Sequence, residues 1–491
     1  MLFNSWQYMV FLPLVVLLYY CLPHKWRWGL LLVASYYFYM SWNAKLVVLI
    51  ATSTLTSWAC ALLIERSSQK SRKRVFLALG VGVSLALLFF FKYFNFLSSS
   101  ITALLRAFSL PVDDFTIQVM LPVGISFYTF QTLSYVIDVY RGRLAAEKHL
   151  GIYALYVSFF PQLVAGPIER ASNLLPQFHE QHRPNADQMS WGLRMIVWGL
   201  FKKVVVADFC AQYVNLVYND LSTFGPAAYV IATVLFAFQI YGDFSGYSDI
   251  ALGSARILGF RLMENFRSPY FARSVREFWR RWHISLSTWF MDYIYIPLGG
   301  SRVSTGRHLA NLFITFLVSG LWHGSKWTFV VWGAAHGLLV MFDVWFLPLR
   351  SRWEKRLHSP AALSAFHFVQ TLVCFAVVCF TWSLFRANSI ADAVTVITHL
   401  PLAVLSPVQG LRDALASMGL QPLVLVRLGL SLGAVLLFDW VYYKKGDPLL
   451  LLPRARAPWR FALAYAAALA VLVCMLTVPE GTAVEFIYFQ F

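Results

Sequence analysis

Charge is what this chain has least of. Only 13% of its 491 residues are Asp, Glu, Lys or Arg, whereas 59% are hydrophobic, and that balance excludes a water-soluble globule of this length. Acids are scarcer than bases, 23 against 40, and the resulting net charge of +17 would suit nucleic acid if it were gathered in one patch. It is not: Lys and Arg are parcelled between hydrophobic segments, as the positive-inside rule requires of a membrane protein, so no nucleic-acid partner is expected. Cysteine is sparse as well. Cys21, Cys60, Cys210, Cys374, Cys379 and Cys474 all lie in apolar runs, with neither the density of a disulfide framework nor metal-ligand spacing, which leaves them as small core residues. The first apolar stretch, Tyr8 to Leu22, has no Lys or Arg before it and reads as a spanning helix rather than a cleaved signal.

What is present is hydrophobic sequence in blocks. Apolar windows near residues 8–22, 28–42, 46–64, 75–97, 150–165, 190–206, 226–242, 309–322, 327–346, 361–385, 426–443 and 460–478 predict about eleven or twelve spans at roughly 20 residues per crossing. The expected fold class is an all-α, polytopic integral membrane protein. It forms one domain over 1–491, with N-terminal helices in 1–114, a core in 115–350 and C-terminal helices with an aromatic tail in 351–491. Basic loops around Arg66–Arg74, Arg350–Arg356 and Lys444–Arg460 mark the cytoplasmic side, and the base-poor stretches Ser98–Asp114 and Asn215–Pro226 suit the other.

Several features interrupt these blocks. Gly and Pro in Leu121-Pro122-Val123-Gly124 and in Gly166-Pro167 predict re-entrant pieces, because broken backbone at membrane depth must be shielded by protein or a cavity. From Asn265 to Arg302, arginines alternate with Phe278, Trp279, Trp282, Trp289 and Tyr293. That pattern predicts an amphipathic helix at the cytoplasmic interface, either as a plain anchor or with its guanidinium groups placed to hold phosphates of a cytoplasmic donor. In YGDFSGYSDIALG, Asp243 and Asp249 lack a histidine or further carboxylate at ligand spacing. Helix capping and an ion pair with nearby arginines are expected there, and no metal site. His323 stands in an apolar stretch from Leu309 to about Phe346, about 20 Å along it if the helix is continuous. An ionisable ring at that depth is a functional-site hypothesis by default, against the plainer reading of a hydrogen-bonded structural histidine.

YGDFSGYSDIALGSARILGF, REFWRRWHISLSTWFMDYIYIPLGG, GLWHGSKWTFVVWGAAHG and AGPIER resemble the membrane-bound O-acyltransferase (MBOAT) family, within it the alginate O-acetyltransferase-like bacterial branch that acylates cell-envelope polymers. The resemblance implies helices around a transmembrane tunnel in the bacterial inner membrane. It also implies transfer of an acetyl group from a cytoplasmic thioester, acetyl-CoA or another acyl carrier, for O-acetylation of an exported polysaccharide such as alginate or cellulose, with no bound cofactor. The family's catalytic histidine falls on His323, the expected general base, since imidazole titrates in the range that deprotonating a hydroxyl requires. The second family position falls on His283, with a role in orienting the donor or steadying the oxyanion. Arg276, Arg280, Arg281 and Trp282 form the candidate donor-binding set. His336 is expected to be structural, because 13 residues of helix turn it about 220° away from the face of His323.

The chain closes with Phe486-Ile487-Tyr488-Phe489-Gln490-Phe491, on the outer side by the loop charges. As an aromatic belt this anchors the last helix. It also resembles the aromatic hexapeptide with a central tyrosine found in envelope-acylation systems, which would make Tyr488 an acyl relay, because a phenoxide leaves more readily than an alkoxide. The partners so implied are a periplasmic SGNH-type acetyltransferase or similar acceptor, the polysaccharide synthesis and export machinery, and membrane lipid. A glycan transporter is the competing class and predicts an internal helix repeat and paired intramembrane carboxylates, neither of which is evident. Acylation of a lipid or protein is a third reading.

Overall fold

The computed structural model describes residues 1–113, 115–117, 121–164, 166–451, 468–474 and 486–487. Its regular structure is helical, and the described residues hold no strand. Among the described residues, six helices are long and apolar enough to cross a bilayer: Ala44–Arg66, Lys70–Ala107, Pro226–Ile257, Trp327–Arg356, Pro360–Arg386 and Pro422–Lys445. Trp6–Cys21, Leu150–Leu163 and Ile390–Val404 are shorter apolar helices. The difference from the eleven or twelve predicted spans has a physical reason. An apolar window reports exclusion from water, whether lipid or protein does the excluding, and several windows fall on helices below the length of a full crossing, such as His24–Met40 with 17 residues. The 460–478 window lies mostly outside the described residues.

The chain forms two compact units, one of residues 1–196 with 248–263, the other of 197–247 with 264–491. The divisions at 114 and 350 do not coincide with these boundaries. In the first unit, helices pack through small polar residues. Ser35, Thr54 and Ser57 return their hydroxyls to carbonyls four residues back at 2.6–2.7 Å, which satisfies them in an apolar surround and lets neighbouring backbones approach. Both predicted Gly/Pro interruptions break helices here: the Ile125–Tyr140 helix starts just after Gly124, and one helix ends at Leu163 while the next starts at Ala171.

That second break carries Glu169, fully buried. Its carboxylate accepts from the Met263 backbone N–H and from Asn173 Nδ2 at 2.7 Å. Burial, only partly offset by these bonds and by Arg170, pushes its carboxyl up to about 7. The folded state therefore holds this proton between the ordinary carboxylate range and pH 7 while the unfolded chain has lost it, so stability falls as pH rises through that window. The full effect is roughly 3 kcal/mol at 1.36 kcal/mol per unit. Melting of the detergent-solubilised protein from pH 4.5 to 8 should show the decline, and Glu169→Gln should flatten it; an undiminished slope in that variant would assign the effect elsewhere.

In the second unit, the Thr305–His323 and Trp327–Arg356 helices form a hairpin whose arms touch backbone to backbone. A Cβ on Gly320 would lie 2.4 Å from the Phe329 carbonyl oxygen, and one on Gly333 would lie 2.9 Å from Gly320 Cα. Only glycine permits this approach, and the hairpin places the turn bearing His323 against the Pro360–Arg386 helix, where Phe385 meets its ring.

Candidate active site

His323 is the last residue of its helix, not a mid-helix residue of a continuous span. The helix stops there, Gly324 is extended, and the next helix starts at Trp327. The break coincides with the gap between the 309–322 and 327–346 apolar windows, where His323-Gly324-Ser325-Lys326 stands. The helix end matters chemically: its unsatisfied carbonyls present negative potential, which favours an imidazolium forming as the ring takes a proton. The ring is buried in an aromatic box, with centroids of Trp322 and Trp332 both at 5.0 Å and Phe385 at 5.6 Å.

The arginine- and tryptophan-rich segment is not one amphipathic helix. It divides into Val275–Trp279 and Ile284–Phe290, with His283 between them in the left-handed region at φ 44, ψ 55. That conformation is costly for a residue with a Cβ and persists where surroundings impose it. Here the Ile284 N–H donates to the Asn265 carbonyl at 3.0 Å, the Arg267 N–H donates to the Arg281 carbonyl at 3.0 Å, and Ser285 Oγ donates to Asn265 Oδ1 at 2.6 Å. The clamp turns the His283 ring inward, 6.5 Å from His323 between centroids and 4.6 Å from Phe244. Burial pushes its imidazole down to about 3, which favours the neutral ring. The structure thus brings the two sequence-predicted histidines together.

His336 is held apart from this pair by two hydrogen bonds. Trp279 Nε1–H donates to Nδ1 at 3.2 Å, which fixes the proton on Nε2, 3.0 Å from Thr381 Oγ1; the Thr381 hydroxyl in turn donates to the Val378 carbonyl at 2.8 Å. A ring so committed acts as a structural post among Trp279, Trp332 and Phe316.

Arg276, Arg280 and Arg281 line one cavity of about 530 Å³ together with Arg267, Arg350, Ser274, Leu347, Glu277 and Asp343. Five guanidinium groups face two carboxylates. Arg281 pairs with Glu277 at 2.8 Å and Arg350 with Asp343 at 3.4 Å, and the cavity keeps a surplus of positive charge. Trp282 is not among its lining residues. It is buried, with Trp382 at 5.1 Å and Phe278 at 5.4 Å, where alternation along the segment turns aromatic rings inward and arginines outward. Tyr488 lies outside the described residues.

Asp243 neither caps a helix nor pairs with arginine. It sits within the Pro226–Ile257 helix and pairs with Lys203 at 2.6 Å; Lys203 also meets Asp208 at 2.8 Å. Sequence reasoning did not single out Lys203 or Asp208. The available signal was a lysine inside the apolar 190–206 window, since an ion at membrane depth needs a counter-ion.

This geometry, two facing histidines in an aromatic interior with an arginine cavity in the same unit, suits acyl transfer. The family model described as "MBOAT, membrane-bound O-acyltransferase family" matches residues 146–382, a stretch that contains both histidines and the cavity. The chain is similar to the probable alginate O-acetylase AlgI of Pseudomonas putida, 40% identical over 399 residues, covering 79% of this chain and 78% of that protein. It is 33% identical over 438 residues to the peptidoglycan O-acetyltransferase of Helicobacter pylori, covering 81% and 79%. With the teichoic acid D-alanyltransferase of Bacillus subtilis it shares 27% over 270 residues, covering 50% and 66%. The chain belongs to the membrane-bound O-acyltransferase family and is a multi-pass membrane acyltransferase.

Proposed function

We propose that this protein passes acetyl groups from a cytoplasmic thioester across the bacterial inner membrane for O-acetylation of an exported envelope polysaccharide. The observation that carries the reading is the His283–His323 pair. A separation of 6.5 Å is spanned by one reacting carbonyl within hydrogen-bond reach of each ring. His323 takes the proton of the attacking hydroxyl as its oxygen bonds to the thioester carbonyl carbon. His283, neutral and donating, steadies the developing oxyanion. The tetrahedral intermediate then expels the thiolate, which recovers the proton from His323, so one thioester and one hydroxyl become one ester and one thiol. The aromatic box keeps competing water from the thioester.

In this scheme the first acceptor is the Tyr488 hydroxyl, whose aryl ester hands acetyl on to a hydroxyl of the polymer or of a periplasmic SGNH-type partner. The arginine cavity holds donor phosphates on the cytoplasmic side, where acetyl thioesters are made, whether the donor is acetyl-CoA or an acyl carrier protein. The bulky carrier never crosses.

Proteoliposomes given radiolabelled acetyl-CoA outside, with an acceptor polysaccharide and partner inside, test the reading. Alkali-labile acetyl should accumulate on the enclosed polymer. Passage of glycan without any acetyl transfer from thioester donors would favour the transporter class instead. In the same assay the double variant Arg280→Gln, Arg281→Gln should raise the donor concentration for half-maximal transfer at least tenfold with little loss of maximal rate. Each charge-assisted contact to phosphate is worth about 1.5 to 3 kcal/mol. Unchanged donor dependence would leave these arginines as an interfacial anchor.

A further inference from the structure

The acidic motif left over by the acyl-transfer site has an occupant. Lys203 and Asp243 are both buried, with side chains 1% and 4% exposed, and Asp208 completes the group at 15%. The motif's glycines make the cluster possible. A Cβ on Gly242 would lie 2.9 Å from the Lys202 carbonyl oxygen and one on Gly246 would lie 2.7 Å from the Gly199 carbonyl oxygen, so the two backbones meet and Lys203 reaches across. Its neighbour Lys202 turns instead to Ser245, donating at 2.8 Å. Two carboxylates share the Lys203 ammonium, and buried carboxylate oxygens call for hydrogen-bond donors.

The Ile487 backbone N–H donates to Asp243 Oδ2 at 2.6 Å, on the oxygen opposite the one that meets Lys203. Phe486, fully buried, packs on Tyr247 at 4.6 Å and on Phe244 at 5.9 Å. Phe244 is the ring that also meets His283 at 4.6 Å. A segment more than 200 residues away in sequence thus ends up one ring from the catalytic pair, and the next peptide bond along it leads to Tyr488.

We infer that Lys203, Asp208 and Asp243 form a docking socket for Phe486 and Ile487: Lys203 and Asp208 fix the Asp243 carboxylate, Asp243 grips the Ile487 N–H, and Tyr247 and Phe244 seat Phe486. These are positioning residues, and their purpose in the reaction rests on the reading of Tyr488 as acyl carrier. The arrangement suits a shuttle, because one N–H bond and the packing of one ring hold Phe486 and Ile487 yet can be released when the loaded residue must turn outward. The socket needs only a backbone amide and an aromatic ring from its occupant.

Hydrogen–deuterium exchange of the C-terminal peptide in detergent or nanodiscs tests the socket without relying on activity. Asp243→Ala should accelerate exchange of that peptide at least tenfold while the hairpin around Gly320 and Gly333 stays protected. Ile487→Pro removes the backbone N–H that donates to Asp243 Oδ2 and leaves the Lys203 pair whole, so it should accelerate exchange of the remaining amides of the C-terminal peptide with an unchanged melting temperature. Wild-type exchange of this peptide in either variant would overturn the socket. Tyr488→Phe leaves the socket intact: if it is fully active, the acyl-carrier reading fails, and the exchange result still decides the docking by itself.

Discussion

His323→Ala should reduce acetyl transfer to the polymer by at least a hundredfold, with the protein still inserted and present at its normal level. The expected loss comes from two sources. A positioned general base contributes typically about 10²- to 10⁴-fold, and the position itself is built for a transient cation, because the ring closes a helix at its carbonyl end where positive charge is favoured. Alanine also leaves a void among Trp322, Trp332 and Phe385, so a glutamine variant is the sharper comparison. Gln fills much of the space and forms hydrogen bonds, yet it cannot hold the acceptor proton, and its activity should fall as far as that of alanine. His336→Gln is the internal reference. Its ring is committed to Trp279 and Thr381, so measurable activity should survive there with some loss of stability. Acetylation at the wild-type rate in His323→Gln would remove this residue from the chemistry and leave the pair without a base.

Hydropathy made the membrane class and most helices legible, because the need to satisfy every backbone polar group in lipid leaves helices as the natural solution for such apolar blocks. Which blocks cross was less legible: Leu150–Leu163 is as apolar as a span, yet most of it is buried within the protein. At the site, His323 and His283 were readable from the segments that carry them. Their geometry was less so: the gap between the 309–322 and 327–346 windows marks the break at His323 but not the packing of its ring, and the left-handed backbone of His283 is imposed by Asn265 and Arg267 from outside the local sequence. Alternating Arg and Trp announced an amphipathic segment but not which side faces the cavity. That is why Trp282 separates from Arg276, Arg280 and Arg281 once the segment folds. The partner of Asp243 was hidden for a similar reason. Nearby arginines were the obvious counter-ions by sequence distance, whereas the register set by Gly242 and Gly246 delivers Lys203.

Tyr488→Phe should be nearly as damaging as His323→Ala, which is a strong expectation for the loss of one oxygen atom. The substitution keeps the ring and its packing area, so whatever seats the segment is preserved, and only the hydroxyl that would attack the thioester is gone. The neighbouring residues support the reading: Ile487 is tied to Asp243 and Phe486 to Phe244, the ring that meets His283. A tyrosyl ester is also the right kind of intermediate. Its phenol, with an ordinary pKa of about 10, is a better leaving group than a sugar alkoxide, so the second transfer runs downhill toward the polymer. Intact-protein mass spectrometry after incubation with acetyl donor should show one added acetyl on the C-terminal peptide, removed by mild alkaline hydroxylamine and missing in Tyr488→Phe. Because the first transfer needs the base, His323→Gln should also leave that peptide unmodified, whereas a variant lacking only the periplasmic partner should accumulate it. Normal polymer acetylation by Tyr488→Phe would mean that the acceptor hydroxyl reaches the histidine pair directly from the partner or the polymer, with the aromatic segment as an anchor beside it.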